Sequence, residues 1–260
     1  MPKNLSHSPK TLPEAIERLI QSDGASTSGS FGRIVMTPDG RPIRSIITGR
    51  RHIVTGSYPS RKSRCAMPHE SMNELAFFHE SEVDTRVVDY RAQPFRLEFI
   101  LAGQLRTYIP DCARLLSDGT VEVVEIKSDY RALSDEDYAE KLRAVREFCH
   151  HLGWRFRIVV REDTVAARIR QANVHLIQSK RTVSYLASHY YVAFDLLDRL
   201  NGEASLAQVA QAFGDSRLGT SIAMAMMVGR TLDIELGRPI SADSRVVAVD
   251  DAEFGEGAVQ

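Results

Sequence analysis

A Pro110-Asp111 pair is followed, fourteen residues after the aspartate, by Glu125-Ile126-Lys127. Two carboxylates and an amine on neighbouring strands are what metal-assisted phosphodiester hydrolysis needs. Mg²⁺ is a hard ion that takes oxygen ligands and keeps several of its waters. Asp111 and Glu125 can each offer a carboxylate oxygen and Ile126 its main-chain carbonyl, to Mg²⁺ or to Mn²⁺ in its place. Lys127 stands two residues after Glu125 and so shares its side of a strand. There its ammonium could position a water or hydroxide and neutralise charge growing on a phosphate. The bland alternative is an ordinary hairpin end, with Asp111 at a strand start and Glu125 and Lys127 facing solvent; motifs this short also arise by chance. Against it, Val123, Val124 and Ile126 make the second strand apolar on both faces, like a buried sheet strand, where a charged pair needs a reason.

A hairpin must hold these groups, and its register is decisive. With a two-residue Asp118-Gly119 loop, Asp111 would face away from Glu125. With a three-residue Ser117-Asp118-Gly119 loop, Leu116 pairs with Thr120 and Asp111 falls opposite Glu125 on the same face. Gly119 then stands where such a loop takes its left-handed residue. The chemistry demands one turn, and the sequence permits it.

The flanking pattern predicts strands over 95–101, 105–109, 112–116, 121–126 and 154–160. Ser71 and Glu74 read as a capping box that opens a helix carrying Leu75, Phe77 and Phe78 and fading near Ser81. On that reading Glu74 reaches back to the Ser71 amide. Ser134 caps a second helix, whose apolar stripe of Tyr138, Leu142, Val145, Cys149 and Leu152 ends at Gly153. Helix, three or four antiparallel strands, helix and strand make an α/β core with a sheet between helices.

Beyond residue 163 the pattern turns helical, over 164–177 and 183–200, with Tyr185, Leu186, Tyr190, Leu196 and Leu197 as packing residues. Ser205 caps a short helix carrying Leu206, Val209, Ala210 and Phe213. A turn at Gly214-Asp215-Ser216, a helix over 220–230 and extended pieces at 233–236 and 245–249 follow. Helix, turn, helix and small hairpin outline a winged helix. No base-reading residue is visible in it, so DNA contact and partner docking stay equally open.

At 260 residues, 43% hydrophobic and 26% charged, the chain can bury a core and is not disordered throughout. A net charge of −1 hides an uneven distribution. Residues 1–64 hold eleven bases against four acids, a net +7, whereas residues 243–260 hold five acids against Arg245 alone. A basic arm suits a phosphate backbone, or is simply a solvated leader. Residues 23–32 are Ser/Gly-rich and read as a flexible linker. The scattered cysteines Cys65, Cys112 and Cys149 form no Cys-x-x-Cys pair, which favours a reducing compartment over a disulfide framework or zinc ribbon. Residues 1–18 lack the apolar run of a signal peptide, and no stretch reaches membrane-span length. A soluble, cytoplasmic protein is expected. Its predicted parts are a basic, partly flexible arm (1–57), a catalytic core (58–163), a helical, winged-helix-like domain (164–241) and an acidic tail (242–260).

Tyr58-Pro-Ser-Arg-Lys62, Glu70-Ser-Met-Asn-Glu74, Gln93-Pro94, Pro110-Asp111, Glu125-Ile-Lys127 and Asn173, in that order and spacing, resemble the TnsA-like transposon endonucleases. These belong to the PD-(D/E)xK, restriction-endonuclease-like nucleases. The resemblance spans residues 58–177, nearly half the chain. It implies that Glu74 joins Asp111, Glu125 and Lys127 around Mg²⁺. It also implies cutting of double-stranded DNA at a transposon end, on the strand that a TnsB-like transposase leaves intact, and docking to a TnsC-like AAA+ regulator. Such a protein would be nucleoid-associated when acting. The best-known member carries glutamine at the position of Glu125, so this site lies closer to the general nuclease pattern. The arm, the tail and most of the carboxyl-terminal half have no clear counterpart.

With DNA nearby, Arg61, Lys62 and Arg64 become candidate phosphate contacts just ahead of the Glu74 helix. Gln93 could touch DNA or the site, or merely start a strand before Pro94. His150 and His151 diverge on a helix and cannot share a metal, and Glu80, Glu82 and Asp84 read as a solvated acidic run. Two other functions remain: a non-catalytic DNA-binding or assembly factor working through the winged part, and a free-standing restriction or repair nuclease.

Overall fold

The computed structural model of the chain describes residues 9–22, 32–37, 41–44, 55–161 and 164–249. Most of the predicted linker, Lys3, Arg50 and Arg51 of the basic arm, and Asp250, Asp251, Glu253 and Glu256 of the acidic tail lie outside the described residues. The chain divides into two units, Met1–Leu75 with Val87–Arg161, and Ala76–Arg86 with Glu162–Gln260.

The first unit runs α1 (Leu12–Ser22), β1 (Arg33–Met36), β2 (Gly56–Pro59), β3 (Ala66–His69) and the start of α2 (Met72–Val83). It resumes with β4 (Val87–Ala92), β5 (Phe95–Leu101), β6 (Gln104–Tyr108), β7 (Cys112–Leu116) and β8 (Val121–Lys127). A 3₁₀ turn (Tyr130–Leu133), α3 (Glu136–His151) and β9 (Arg155–Val160) complete it. The predicted strands do not share one sheet. One sheet has the order β1-β5-β6, β2 pairs β3, and a four-stranded sheet has the order β4-β7-β8-β9. In the last, β4, β7 and β8 are antiparallel, but β8 and β9 are parallel. A parallel pair needs a crossover, which α3 supplies. A mixed sheet flanked by helices fits a restriction-endonuclease-like core.

Three departures from the sequence pattern have physical causes. Strand β4 escapes it because its register shifts between Val87 and Asp89, which breaks the alternation. The arm predicted over 1–57 is, in its described part, built into the fold. Leu12 and Ile16 of α1 are fully buried, with Leu19 and Ile20 packed on the same core, and β1 pairs with β5. The Leu12 amide donates to the Asp89 carboxylate at 2.9 Å, so an acid from β4 tethers the helix start. Counting charges obscures this apolar spacing. Third, Asp135 rather than Ser134 caps α3, accepting the Tyr138 amide at 2.8 Å. Leu142, Val145 and Cys149 of the predicted stripe are buried against Ala113, Leu115, Val121 and Val123 of the sheet.

The second unit contains the later turns of α2, then α4 (Val165–Gln178), α5 (Ala187–Arg199), β10 (Glu203–Ser205), α6 (Leu206–Ala212), α7 (Ser216–Val228), β11 (Leu232–Ile234) and β12 (Arg245–Ala248). Its three strands have the order β10-β12-β11. Helix α7 starts at Ser216, earlier than predicted, because Asp215 caps it through the Arg217 and Leu218 amides. The acidic run is not a solvated face: Glu82 and Asp84 are buried, Asp84 is paired with Arg86, and Glu80 is paired with Arg170. No helix among the described residues is long and apolar enough to cross a membrane.

Candidate active site

The hairpin adopts the three-residue loop. The Leu116 amide donates to the Thr120 carbonyl and the Gly119 amide to the Leu116 carbonyl, both at 2.9 Å. Gly119 takes a left-handed φ of 80°. The ladder pairs Leu115 with Val121 and Cys112 with Val124. One step further sets Asp111 opposite Glu125, and their side chains share a face with Ala113 and Val123. The Ile126 amide donates to Asp111 Oδ2 at 2.7 Å, which fixes the aspartate onto β8.

Glu125 is 4% exposed and held by three donors. Tyr108 Oη donates to its Oε2 at 2.7 Å, Lys127 Nζ lies 2.6 Å from Oε1, and the Tyr138 hydroxyl also donates to Oε1. The Lys127 ammonium sits 4.9 Å from the centre of the Tyr138 ring. Burial works against the Lys127 cation, but its hydrogen bonds to Glu125 and Tyr138 outweigh that and hold its pKa above the ordinary lysine value. Burial, then the carboxylate, pushes the Tyr138 phenol up to about 12. Tyr108 is raised well above the phenol range for the same two reasons.

Asp111 is pushed up to about 7, first by burial, then by the charge of Glu125, with Glu74 adding to it; the Ile126 amide and Lys127 act in the other direction. Glu74 is also raised, chiefly by burial. Its carboxylate accepts the Glu70 amide at 2.9 Å and the Ser71 hydroxyl at 3.0 Å, while Ser71 Oγ accepts the Glu74 amide at 3.1 Å. The predicted capping box is therefore half correct, since Glu74 reaches the amide of Glu70 rather than that of Ser71.

Asp111, Glu125 and Lys127 thus come together on one face, and Glu74 is near enough for its charge to act on Asp111. Among the described residues no three His, Cys, Asp or Glu side chains form a ready metal cage. Glu125 is turned to its tyrosines and lysine, and Glu74 to its helix cap. The donor set nonetheless suits a hard divalent cation. The carboxylates are oxygen donors of one sign, and their mutual repulsion, which adds to burial in raising Asp111, is what such a cation relieves.

The basic residues 61, 62 and 64 lie in the turn between β2 and β3. Arg61 and Arg64 are exposed and Lys62 is half-buried. Ser63 anchors this turn by donating to the Tyr90 carbonyl at 2.7 Å. Gln93 is 3% exposed with φ 45°, and its amide donates to the Asp111 carbonyl at 3.2 Å. That placement suits the strand-start role, with the side-chain oxygen buried and without a hydrogen-bond partner among the described residues. Asn173 is buried in the second unit, donating to the Leu236 and Arg238 carbonyls. The sequence pattern missed Tyr108 as a site residue and placed Tyr138 only in a packing stripe. The signal was there in part, because Tyr138 is the stripe's polar-tipped first member, nearest in sequence to Lys127.

Residues 84–161 match the family model described as TnsA-like endonuclease N terminal. The match spans β4 to β9, and with them Asp111, Glu125 and Lys127, while Glu74 lies upstream of it. The likeness to TnsA-like endonucleases holds over this stretch and implies a nuclease of the transposition type. Comparison with the curated proteins found no match.

Proposed function

We propose that this chain is a DNA endonuclease dependent on Mg²⁺, with Mn²⁺ able to substitute, that cuts one strand at transposon ends. The observation that carries this reading is the convergence of Asp111, Glu125 and Lys127 on one face of adjacent strands, within the stretch that matches the TnsA-like family. Asp111, Glu125 and Glu74, with the Ile126 carbonyl, would hold the cation. Once bound, it would supply a water of lowered pKa and a positive charge against the phosphate. Asp111 keeps one oxygen on the Ile126 amide, which aims the other. Lys127 would orient the attacking water, and its raised pKa keeps it cationic at neutral pH. Arg61, Lys62 and Arg64 would grip the backbone of double-stranded DNA.

In the second unit, the order α5-β10-α6-α7-β11-β12 supports a winged-helix reading. Residues 222–228 of α7 are buried, however, leaving only its first turn to approach a groove. Docking to a TnsC-like AAA+ regulator fits that better than groove reading along α7, and a TnsB-like transposase would cut the other strand. The nuclease part would be residues 58–163 and the winged part 164–241.

The test is cleavage of a transposon-end duplex by the full chain together with a TnsB-like transposase and a TnsC-like ATPase. Wild type should cut one strand in Mg²⁺ or Mn²⁺, and Asp111→Asn or Lys127→Ala should lower the rate by about 10²-fold or more. Undiminished cutting by both variants would remove the assignment.

A further inference from the structure

Glu125 can accept about four hydrogen bonds, two on each oxygen. Oε2 faces the interior, where Tyr108, 3% exposed, binds it. Oε1 faces the half-exposed side of the site, and there Lys127 and Tyr138 occupy both of its positions. A cation arriving from solvent meets Oε1 first and finds it saturated. One donor has to leave, and the two differ in how firmly they are held. Lys127 sits on the same strand as Glu125, beside β9, and pairs with it charge to charge. Tyr138 is uncharged. It comes from the first turn of α3, beyond an exposed stretch at 128–131, and its ring is half-exposed. The phenol is the donor that can withdraw without stranding a charge.

We propose that Tyr138 is a positioning residue that holds Glu125 against Lys127 in a resting arrangement, and that divalent-cation loading requires its hydroxyl to release Glu125 Oε1. This rests on the nuclease reading and adds a control step to the same site. Tyr108 serves a different purpose: it stays on Oε2 and keeps the carboxylate aimed outward. The two tyrosines therefore predict opposite effects when each loses its hydroxyl.

Mn²⁺ binding to the full chain, without DNA, is measured by calorimetry for wild type, Tyr138→Phe, Tyr108→Phe and Asp111→Asn. Tyr138→Phe should bind Mn²⁺ about tenfold more tightly, since a hydrogen bond to a charged acceptor no longer competes. Tyr108→Phe should not bind more tightly, and Asp111→Asn should lose binding. A second readout is the ultraviolet difference spectrum of tyrosine on adding Mn²⁺. It should appear in wild type and Tyr108→Phe and vanish in Tyr138→Phe. Tyr138→Leu serves as a second hydroxyl-free variant, so that a folding defect peculiar to one substitution does not decide the result. If wild type binds Mn²⁺ through Asp111 but both Tyr138 variants merely match it, the latch is overturned and the metal site stands. If neither wild type nor the Tyr138 variants take up Mn²⁺, the metal site falls and the latch falls with it.

Discussion

Asp111 Oδ2 accepts the Ile126 amide at 2.7 Å, so the aspartate of one strand is fastened to the strand that carries Glu125 and Lys127. The bond fixes the distance across the hairpin at the point where two acids face each other. It also lowers the Asp111 pKa, but burial and the nearby Glu125 and Glu74 charges overcome it. The site therefore carries a burial cost and a repulsion that weigh against the ionised Asp111.

That repulsion should be measurable as stability. Asp111 is raised from 3.8 to about 7 in the folded chain. A raised acid binds more protons folded than unfolded within that window, so stability falls as pH climbs through it. Asp111→Asn keeps an acceptor for the Ile126 amide and removes the charge. It should therefore melt higher than wild type above pH 7, by roughly 3–6 °C, and this gain should shrink toward pH 4. Mg²⁺ should raise the melting point of wild type and leave the variant unmoved. An equal gap at both ends of the pH range would contradict this account.

The Asp89–Leu12 tether predicts a different kind of loss. Asp89 is 2% exposed and accepts the amides of both Leu12 and Tyr90. Asp89→Ala strands these donors and should cost about 1–3 kcal/mol in denaturant unfolding. Hydrogen exchange should quicken at residues 12–20 more than in α3. If protection along α1 is unchanged, the helix is held by its apolar face alone.

Much of this site was legible because it is local. Gly119, the apolar run of β8 and the parity of Glu125 and Lys127 specify the hairpin, and each acts over a few residues. The rest depends on partners distant in sequence. Asp89 carries no signal of its own, since its partner is the start of α1, 77 residues away, and Glu82 reads as solvated because its burial comes from packing that no periodicity encodes. The clamp on Glu125 joins β6, β8 and α3, so nothing in the spacing of Tyr108 announces it, and that of Tyr138 shows only a polar-tipped stripe residue near Lys127. Five strands, β1 to β4 and β10, went unseen; β4 carries a bulge, β1 to β3 have four residues each, and β10 has only three.

Asn173 joins three backbone groups in the second unit, donating to the Leu236 and Arg238 carbonyls and accepting the Ile240 amide at 3.2 Å. Asn173→Ala removes all three bonds, the one to the carbonyl of buried Leu236 included, and should cost about 1–3 kcal/mol. Because its partners lie in the loop between β11 and β12, Mn²⁺ binding at Asp111 and Glu125 should be unaffected. A fall in Mn²⁺ affinity with folding intact would assign Asn173 to the chemistry instead.

Gly119 gives the sharpest test of the register, since it touches no ligand. Its φ of 80° suits glycine or asparagine and strains a β-branched residue. Gly119→Val should therefore destabilise the hairpin by about 1–3 kcal/mol. A chain that escapes the strain by closing the loop with two residues turns Asp111 to the opposite face from Glu125. Mn²⁺ affinity should then drop although every carboxylate is intact. Gly119→Asn, which tolerates the left-handed conformation, should restore most of both stability and binding. If Gly119→Val is destabilised yet binds Mn²⁺ as wild type does, the three-residue loop is not what brings the two acids together.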